Sequence, residues 1–270
     1  MGEVTTQVNF YKDGFFGYAE KGNFKYWSLA HFVPIILLAL GIFLIYFFRE
    51  KLKNWKHEET FRFVFAFVML MVEMSYFWRL LYVGSSEPDR VVDLMDKLPL
   101  QVCEWTCIFA CFMLMKKSKN LYQVCFFISL TLGIFPLLTP SVITTTGPSY
   151  YRYYQYWMEH ILPILAVFYM TFVHDARPKL RGVGFASGFM SVLVTFALIC
   201  NFNIPEANYL YLAIGTSDGG GSVMDIMVKI APNIWFRLAL LAVVVVGLFF
   251  LVYFISKGIE KLWAKRKKLN

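Results

Sequence analysis

Ionisable and polar side chains interrupt a series of long apolar runs in this sequence, and this combination restricts the possible folds more than any other feature. The runs recur at lengths near the roughly 20 residues that a helix needs to cross the hydrocarbon of a bilayer. A charged side chain at that depth is costly and usually marks a ligand path, an ion path or an active site. We therefore expect an integral membrane protein whose embedded polar groups form a site. These groups are His31, Glu73, Arg79, Cys103, Glu104, Glu159, His160, Asn201 and Arg237.

The apolar runs predict the fold class, which is an all-α, polytopic seven-transmembrane-helix bundle. Charged residues make up only 16% of the chain, against about 25% in soluble domains. Nothing indicates a second, soluble domain, so residues 1–270 are interpreted as a single integral membrane domain. The first 27 residues lack the pattern of a cleavable signal peptide. The seven predicted spans cover about residues 28–48, 61–82, 98–115, 121–138, 153–173, 183–203 and 234–255.

The distribution of basic residues predicts the orientation of the chain in the cell membrane. Lysines and arginines concentrate in the alternate loops 49–60, 116–120 and 174–182 and in the tail after the last span. The positive-inside rule makes that side cytoplasmic, so the N-terminus is outside and the C-terminus inside. Topology therefore explains the net charge of +8 better than nucleic-acid binding does. His57 and His174 are expected to be solvated on the cytoplasmic side, and the aromatic run 150–157 is typical of an interfacial belt.

With this orientation, the polar groups fall into one layer in the outer half of the bilayer. At 1.5 Å of rise per residue, Cys103 lies about 8 Å into the third span and His160 about 10 Å into the fifth. His31, Arg79, Asn201 and Arg237 lie near the outer ends of their spans. Two structural alternatives remain open: a stabilising polar network, and arginines that extend towards the headgroups. For the layer as a whole, a site is favoured because burying so many polar groups is costly.

Cys103 and His160 are the candidate catalytic pair, because a thiol beside an imidazole can become a thiolate nucleophile. Glu159 and Glu104 are candidates for a carboxylate that orients His160. Neighbouring residues on a helix point about 100° apart, so we expect His160 to face the bundle and Glu159 to face elsewhere. Cys107 and Cys111 continue the stripe of Cys103 at four-residue spacing and are interpreted as packing residues.

The sequence predicts no metal and no cofactor. Only His31 and His160 reach the outer layer, so a three-histidine zinc site is excluded. A site made by Cys103 and both histidines lacks any supporting ligand spacing. The five cysteines lie inside predicted spans and form no C-x-x-C pair, so a disulfide framework is not expected.

The segment 204–233 is long for a connection in a compact bundle, and such segments are often functional lids. It contains Asn208 and Tyr209 and the run Gly219-Gly220-Gly221. The glycines lack the Gly-Lys-Ser/Thr ending of a phosphate-binding loop. A flexible turn and a lid over the polar layer are both compatible with this sequence.

Several short motifs, taken in order, resemble a known family. They are Trp27-Ser28-Leu29-Ala30-His31, then Leu98-Pro99-Leu100-Gln101-Val102-Cys103-Glu104, then Tyr156-Trp157-Met158-Glu159-His160, and last Asn201 with Asn208-Tyr209 and Pro232. Together they resemble the YwaF-like bacterial integral membrane proteins, related to the eukaryotic transmembrane protein 164 acyltransferases. The resemblance implies seven membrane helices and transfer of phospholipid acyl chains by a cysteine and a histidine, matched here by Cys103 and His160. Gln101 stands where the bacterial pattern has a histidine, and the eukaryotic cysteine aligns with Leu100.

Two functions are therefore compared. The first is a lipid acyltransferase whose partners are membrane lipids, with Cys103 and His160 as the catalytic pair. His31, Glu73, Arg79, Gln101, Glu104, Glu159, Asn201, Asn208, Tyr209 and Arg237 would bind the substrate or support the site. The alternative is a non-enzymatic binding or transport protein for a small polar ligand or a lipid headgroup. The oligomeric state, the substrate and the acyl donor are left open.

Overall fold

The computed structural model describes residues 14–16, 24–86, 98–140, 146–204, 207–212 and 229–267, and within these ranges the chain is helical, without strands. We number the α-helices α1 to α8 in chain order. The residues 209–211 form one further turn of 3-10 helix. The bounds are α1 Leu29–Lys53, α2 Glu58–Ser86, α3 Val102–Lys116, α4 Lys119–Ser129, α5 Phe135–Leu138, α6 Tyr151–Phe172, α7 Leu180–Asn203 and α8 Ile234–Lys267.

Helix α6 is the centre of the bundle. It packs against α1, α2, α3 and α4 and touches the short α5, while α7 and α8 lie outside α4. The main core fills the space between α2, α3, α4 and α6 with fully buried side chains such as Met69, Met113, Phe127 and Tyr169. Outer faces of α1 and α8 remain apolar and exposed, for example at Phe47, as expected for helices that face lipid.

Four helical segments are long and apolar enough to cross a membrane: Leu29–Lys53, Glu58–Arg79, Leu180–Asn203 and Ile234–Leu262. This finding supports a multi-pass membrane protein. It does not support seven separate spans, because the described residues form eight helices, of which four meet these criteria. It also does not show on which side of the membrane each terminus lies. Helix α3 has 15 residues and α4 only 11, which explains why neither is among the four.

The predicted span 121–138 is wrong as a continuous helix. Helix α4 ends at Ser129, a turn follows, and the chain resumes as the four-residue α5. Two residues explain the break. The backbone N–H of Gly133 bonds to the carbonyl of Ile128 at 2.9 Å, and a Cβ at Gly133 would lie 2.7 Å from the carbonyl oxygen of Ser129. Pro136 has no N–H for a continued helix but fits the first turn of a new one.

The break leaves backbone carbonyls inside the bundle, and side chains from other helices satisfy them. The Tyr156 hydroxyl donates to the carbonyl of Pro136 at 2.8 Å. His31 Nε2 donates to the carbonyl of Leu137 at 2.9 Å, and its Nδ1 accepts from the backbone N–H of Trp27 at 3.1 Å. Because an unpaired buried carbonyl is costly, His31 has a structural reason to be fully buried in the first turn of α1.

Close contact between α4 and α7 depends on a glycine. A Cβ at Gly182 would lie 2.5 Å from Oε1 of Gln123 and 2.7 Å from the ring of Phe127. Gln123 is also bonded to the start of α7: its Nε2 donates to the carbonyl of Arg177 at 3.0 Å, and its Oε1 accepts from the N–H of Lys179 at 2.7 Å. This contact fixes the distance between two helices that both line the cavity described below.

The end of the bundle where α2 begins is closed by a buried carboxylate. Oε1 of Glu58 accepts from Arg62 Nε at 2.8 Å, from the Tyr169 hydroxyl at 2.9 Å and from His174 Nε2 at 2.8 Å. Lys117 Nζ approaches Oε2 at 3.4 Å. The prediction that His174 is a freely solvated loop residue is therefore wrong. The predicted exposure of His57 is confirmed.

Candidate functional site

A cavity of about 860 Å³ lies at the other end of the bundle. Its walls come from α3, α4, α5, α6, α7 and α8, with Leu210 and Leu212 beside the start of α3. This volume is within the range of small-molecule sites, which are usually apolar clefts with a few placed polar groups. Most lining residues are apolar. The polar exceptions include Gln101, Cys103, Glu104, Arg152, Glu159 and His160. We call this space the main cavity.

Three predicted site residues meet in its wall. One ligand atom each from Cys103, Glu159 and His160 lies within 4.8 Å of the others. Cys103 is the second residue of α3 and is half-buried, whereas Glu159 and His160 in the middle of α6 are buried. The expectation that Glu159 and His160 point to different environments is wrong. Cys103 lies where both side chains can reach it, since α3 packs directly on α6.

A backbone hydrogen bond determines which nitrogen of His160 faces the other two groups. Its Nδ1 lies 2.7 Å from the carbonyl oxygen of Tyr156, and a carbonyl only accepts, so Nδ1 carries the proton. The neutral ring then keeps a lone pair on Nε2. The ring also packs against that of Tyr156, with centroids 4.4 Å apart. His160 is therefore held in an orientation and tautomer suited to accept a proton or a metal at Nε2.

A chain of polar side chains on α6 fixes Glu159. Its Oε2 accepts from Gln155 Nε2 at 2.9 Å and lies 3.5 Å from Arg152 Nη1. Arg152 also donates to Oε1 of Gln155, and its guanidinium lies over the ring of Tyr76 at 4.5 Å. The sequence analysis did not place Arg152 or Gln155 in the site, because both fall in the run interpreted as an interfacial belt, although a lipid headgroup near Arg152 was an alternative. Arg152 lies seven residues and Gln155 four residues before Glu159, and this spacing places all three on one helix face.

The side chains of the aromatic run are largely buried, so they do not form a belt on the surface of the bundle. Tyr153, Tyr156 and Trp157 are each 5% exposed or less, and only Tyr154 keeps a large exposed surface. The run therefore belongs to the inside of the bundle, where its polar members serve the site.

Gln101 and Glu104 shape the start of α3. Oε2 of Glu104 accepts from the backbone N–H of Gln101 at 2.8 Å, which is one half of a capping box. Oε1 of Gln101 accepts from the N–H of Leu210 at 3.3 Å. Both side chains line the main cavity. Because its carboxylate caps α3, Glu104 is the weaker candidate for orienting His160, and Glu159 the better one.

Asn201 and Tyr209 hold the segment 207–212 against the bundle. The Asn201 side chain pairs with the backbone of Tyr209 in both directions, at 3.0 Å and 2.7 Å. The Tyr209 hydroxyl accepts from the N–H of Leu98 at 2.9 Å. Asn208 is exposed. These residues position the wall of the cavity. Most of the predicted lid segment 204–233, including residues 213–228 with the three glycines, lies outside the described residues.

Four other predicted site residues are buried but do not line the main cavity as described: His31, Glu73, Arg79 and Arg237. Arg79 is 8% exposed and Arg237 only 2%, so neither extends into the headgroup region as a surface side chain. Glu73 is 3% exposed and lies within electrostatic reach of Glu104 and Glu159. Its Oε2 has no hydrogen-bond partner among the described residues.

The packing role expected for Cys107 and Cys111 is confirmed. Both are buried, and their thiols donate to backbone carbonyls of α2, at Met69 (3.5 Å) and Ala66 (3.2 Å). All five cysteines of the chain are free. Cys103 differs from this pair because its thiol lies beside Glu159 and His160 instead of a neighbouring backbone.

Comparison with known proteins identifies the family of the chain and little else. The sequence profile of the TMEM164 family matches residues 26–253. This range includes every candidate site residue discussed above. No curated protein and no solved structure matches the sequence.

Proposed function

The chain belongs to the TMEM164 family, and from that premise we propose that it is an acyltransferase of the cell membrane that acts on phospholipids. Family membership and the apolar helices indicate a multi-pass membrane protein. The proposal adds that Cys103 and His160 perform the acyl transfer and that the chain is similar to the YwaF-like proteins. The observation that carries it is the meeting of Cys103, Glu159 and His160 in the wall of a largely apolar cavity.

We extend the proposal to the topology. In it, α4, the turn after it and α5 together make one crossing, so the chain crosses the membrane seven times. The basic loops and the basic end of α8 lie in the cytoplasm, in keeping with the positive-inside rule. The buried Glu58 cluster then lies at the cytoplasmic end and the main cavity opens in the outer half. Reporter fusions at the loops 54–57 and 174–179 test this: labelling of either loop from outside intact cells contradicts it.

The chemistry follows from the state of His160. Its Nε2 takes the proton of the Cys103 thiol, and the thiolate attacks the ester carbonyl of a phospholipid. The ester C–O bond breaks, the lysolipid alcohol leaves with the proton from His160, and the acyl group stays on Cys103 as a thioester. A second lysolipid hydroxyl then attacks the thioester, loses its proton to His160 and regenerates the thiol. Glu159 stabilises the transiently charged imidazole.

The shape of the main cavity supports an acyl chain as its occupant. Below the polar groups, its wall follows α8 from Leu238 to Leu248, a depth of about 15 Å. The lining residues of that stretch are alanine, valine and leucine. Ala242 and Val244 are also exposed at the outer surface of the bundle, so the cavity reaches the face of α8 that lipid covers. A lipid can enter sideways there without leaving the membrane.

The test uses the purified full-length protein in phospholipid vesicles that contain a lysolipid with a labelled headgroup. Wild-type protein is expected to convert the labelled lysolipid to a diacyl lipid and to form a hydroxylamine-sensitive acyl thioester. Cys103→Ala should abolish both signals, and His160→Ala should reduce the rate by about 10²–10⁴-fold. Cys107→Ala is the matched control, since its thiol packs against α2. Equal turnover by Cys103→Ala and wild type would overturn the proposal.

The non-enzymatic alternative predicts a different result from the same preparation. A protein that only binds a headgroup or a small polar ligand would form no thioester in wild type. It would instead be stabilised against heat by that ligand in a saturable way. Arg152→Ala should then remove the stabilisation, because this guanidinium is the cation among the described residues that line the cavity.

A further inference from the structure

We infer that Cys103, Glu159 and His160 also form a binding site for a thiophilic divalent cation of the zinc type. Thiolate, imidazole and carboxylate are the three ligand types that proteins use for zinc. Zinc bonds of about 2.0–2.3 Å hold tetrahedral ligand atoms about 3.3–3.8 Å apart. The three ligand atoms already lie within 4.8 Å of one another, so the longest separation has to shrink by about 1 Å.

The groups behind the three ligands resemble the supporting contacts of metal sites. Metal-binding histidines usually donate their second ring N–H to a carbonyl or carboxylate, and Nδ1 of His160 bonds to the carbonyl of Tyr156 in this way. Glu159 is held through Oε2 by Gln155 and Arg152, which leaves Oε1 for a metal. All three ligands line the main cavity, so a fourth position is open to water or a ligand.

The surroundings of the three ligands are suited to a buried cation. Glu73 and Glu104 lie within electrostatic reach of one another and of Glu159, and Oε2 of the buried Glu73 has no hydrogen-bond partner among the described residues. A divalent cation held by Glu159 would favour the charged form of these neighbouring carboxyl groups.

Binding has a defined chemical balance and a consequence for the proposed reaction. The metal replaces the thiol proton of Cys103, which is released to water. The bound thiolate is then unavailable as a nucleophile, and Nε2 of His160 is unavailable as a base. The metal-bound form is therefore inactive in acyl transfer. The metal site itself needs only the three ligands, and it does not depend on whether the protein is an acyltransferase.

The test uses Co²⁺ as a spectroscopic probe on the purified full-length protein in detergent. Wild-type protein should bind about one equivalent of Co²⁺ and show the near-ultraviolet absorption of a cobalt–thiolate bond. Cys103→Ala should lose this absorption, and Glu159→Gln should weaken Co²⁺ binding by about 10–100-fold. Cys200→Ala is the matched control, because Cys200 is a half-buried free thiol outside the cluster. Heat denaturation curves establish that each variant is folded.

A second measurement needs no variant. Zn²⁺ should slow the alkylation of Cys103 by N-ethylmaleimide at least about tenfold, as read by mass spectrometry of its peptide, while Cys200 reacts at an unchanged rate. Folded wild-type protein without cobalt–thiolate absorption, or without protection of Cys103, would overturn the inference. Loss of acyl transfer alone would not, since both measurements are made without a lipid substrate.

Discussion

Replacing Gly182 by alanine should loosen the contact between α7 and α4. The new Cβ would lie 2.5 Å from Oε1 of Gln123 and 2.7 Å from the fully buried ring of Phe127. Real Cβ contacts are not that short, so either the Gln123 side chain or the α7 backbone has to move. Phe127 is enclosed in the core and cannot yield easily.

The two routes have similar costs. If Gln123 turns away, it gives up its bonds to Arg177 and Lys179, at about 0.5–1.5 kcal/mol each. If α7 moves outward, overpacking costs about 1–3 kcal/mol. Alanine returns at most about 1 kcal/mol through its better helix propensity. The free energy of unfolding should therefore fall by about 1–2 kcal/mol.

A matched control lies two turns further along the same helix. A Cβ at Gly188 meets nothing within 4 Å, so Gly188→Ala should be neutral or stabilising by up to about 1 kcal/mol. Unfolding of both variants by SDS in mixed micelles gives the comparison. Adding Gln123→Ala to Gly182→Ala should then cost less than the two single changes together, because they share one clash. Equal stability of the two alanine variants would refute the packing argument.

Three further predictions concern buried polar groups. His31→Ala should lower the free energy of unfolding by about 1–3 kcal/mol, since it leaves a buried backbone carbonyl unpaired, and His31→Gln should recover part of this in the same SDS titration. Glu58→Ala leaves Arg62 buried and should cost about 3–5 kcal/mol, whereas Lys117→Ala, at an exposed partner, should cost less than about 1 kcal/mol; similar losses would contradict the buried cluster. Burial lowers the pKa of His174 from its ordinary value of 6.5. On acidification the unfolded chain therefore takes up a proton that the folded chain does not, and the free energy of unfolding should fall as the pH drops below about 6.5. His174→Gln should flatten this part of the plot of unfolding free energy against pH.

The sequence predicted the helical class and the end of the bundle at which the polar groups gather. Hydropathy and helical rise fix the depth of a residue, which is why Cys103 and His160 were expected at the same level. Depth does not reveal what a side chain contacts. His31 had the right depth for the site, but it bonds to a carbonyl that is free only because another helix is interrupted.

The interrupted helix shows a second limit of prediction from the sequence. Averaging hydropathy over 121–138 conceals the break, although Gly133 and Pro136 are the residue types that mark one. The reach of side chains is a third limit of prediction from the sequence. The 100° between Glu159 and His160 describes the directions of their Cα–Cβ bonds. Their contact with Cys103 also depends on the length of the glutamate side chain and on the position of α3, and the periodicity of one helix reveals neither.

The break after Ser129 also has a consequence for the volume of the protein. Helix α4, at 11 residues, is about 16 Å long, little more than half of what the bilayer core requires. The turn and α5 that replace its second half form part of the wall of the main cavity. A straight helix of ordinary length would pack its side chains against α6 there, as α1, α2 and α3 do. The main cavity thus lies where about two turns of helix are missing from the bundle. Substitutions at the break can therefore change the volume of the cavity without replacing any residue that is proposed to perform chemistry.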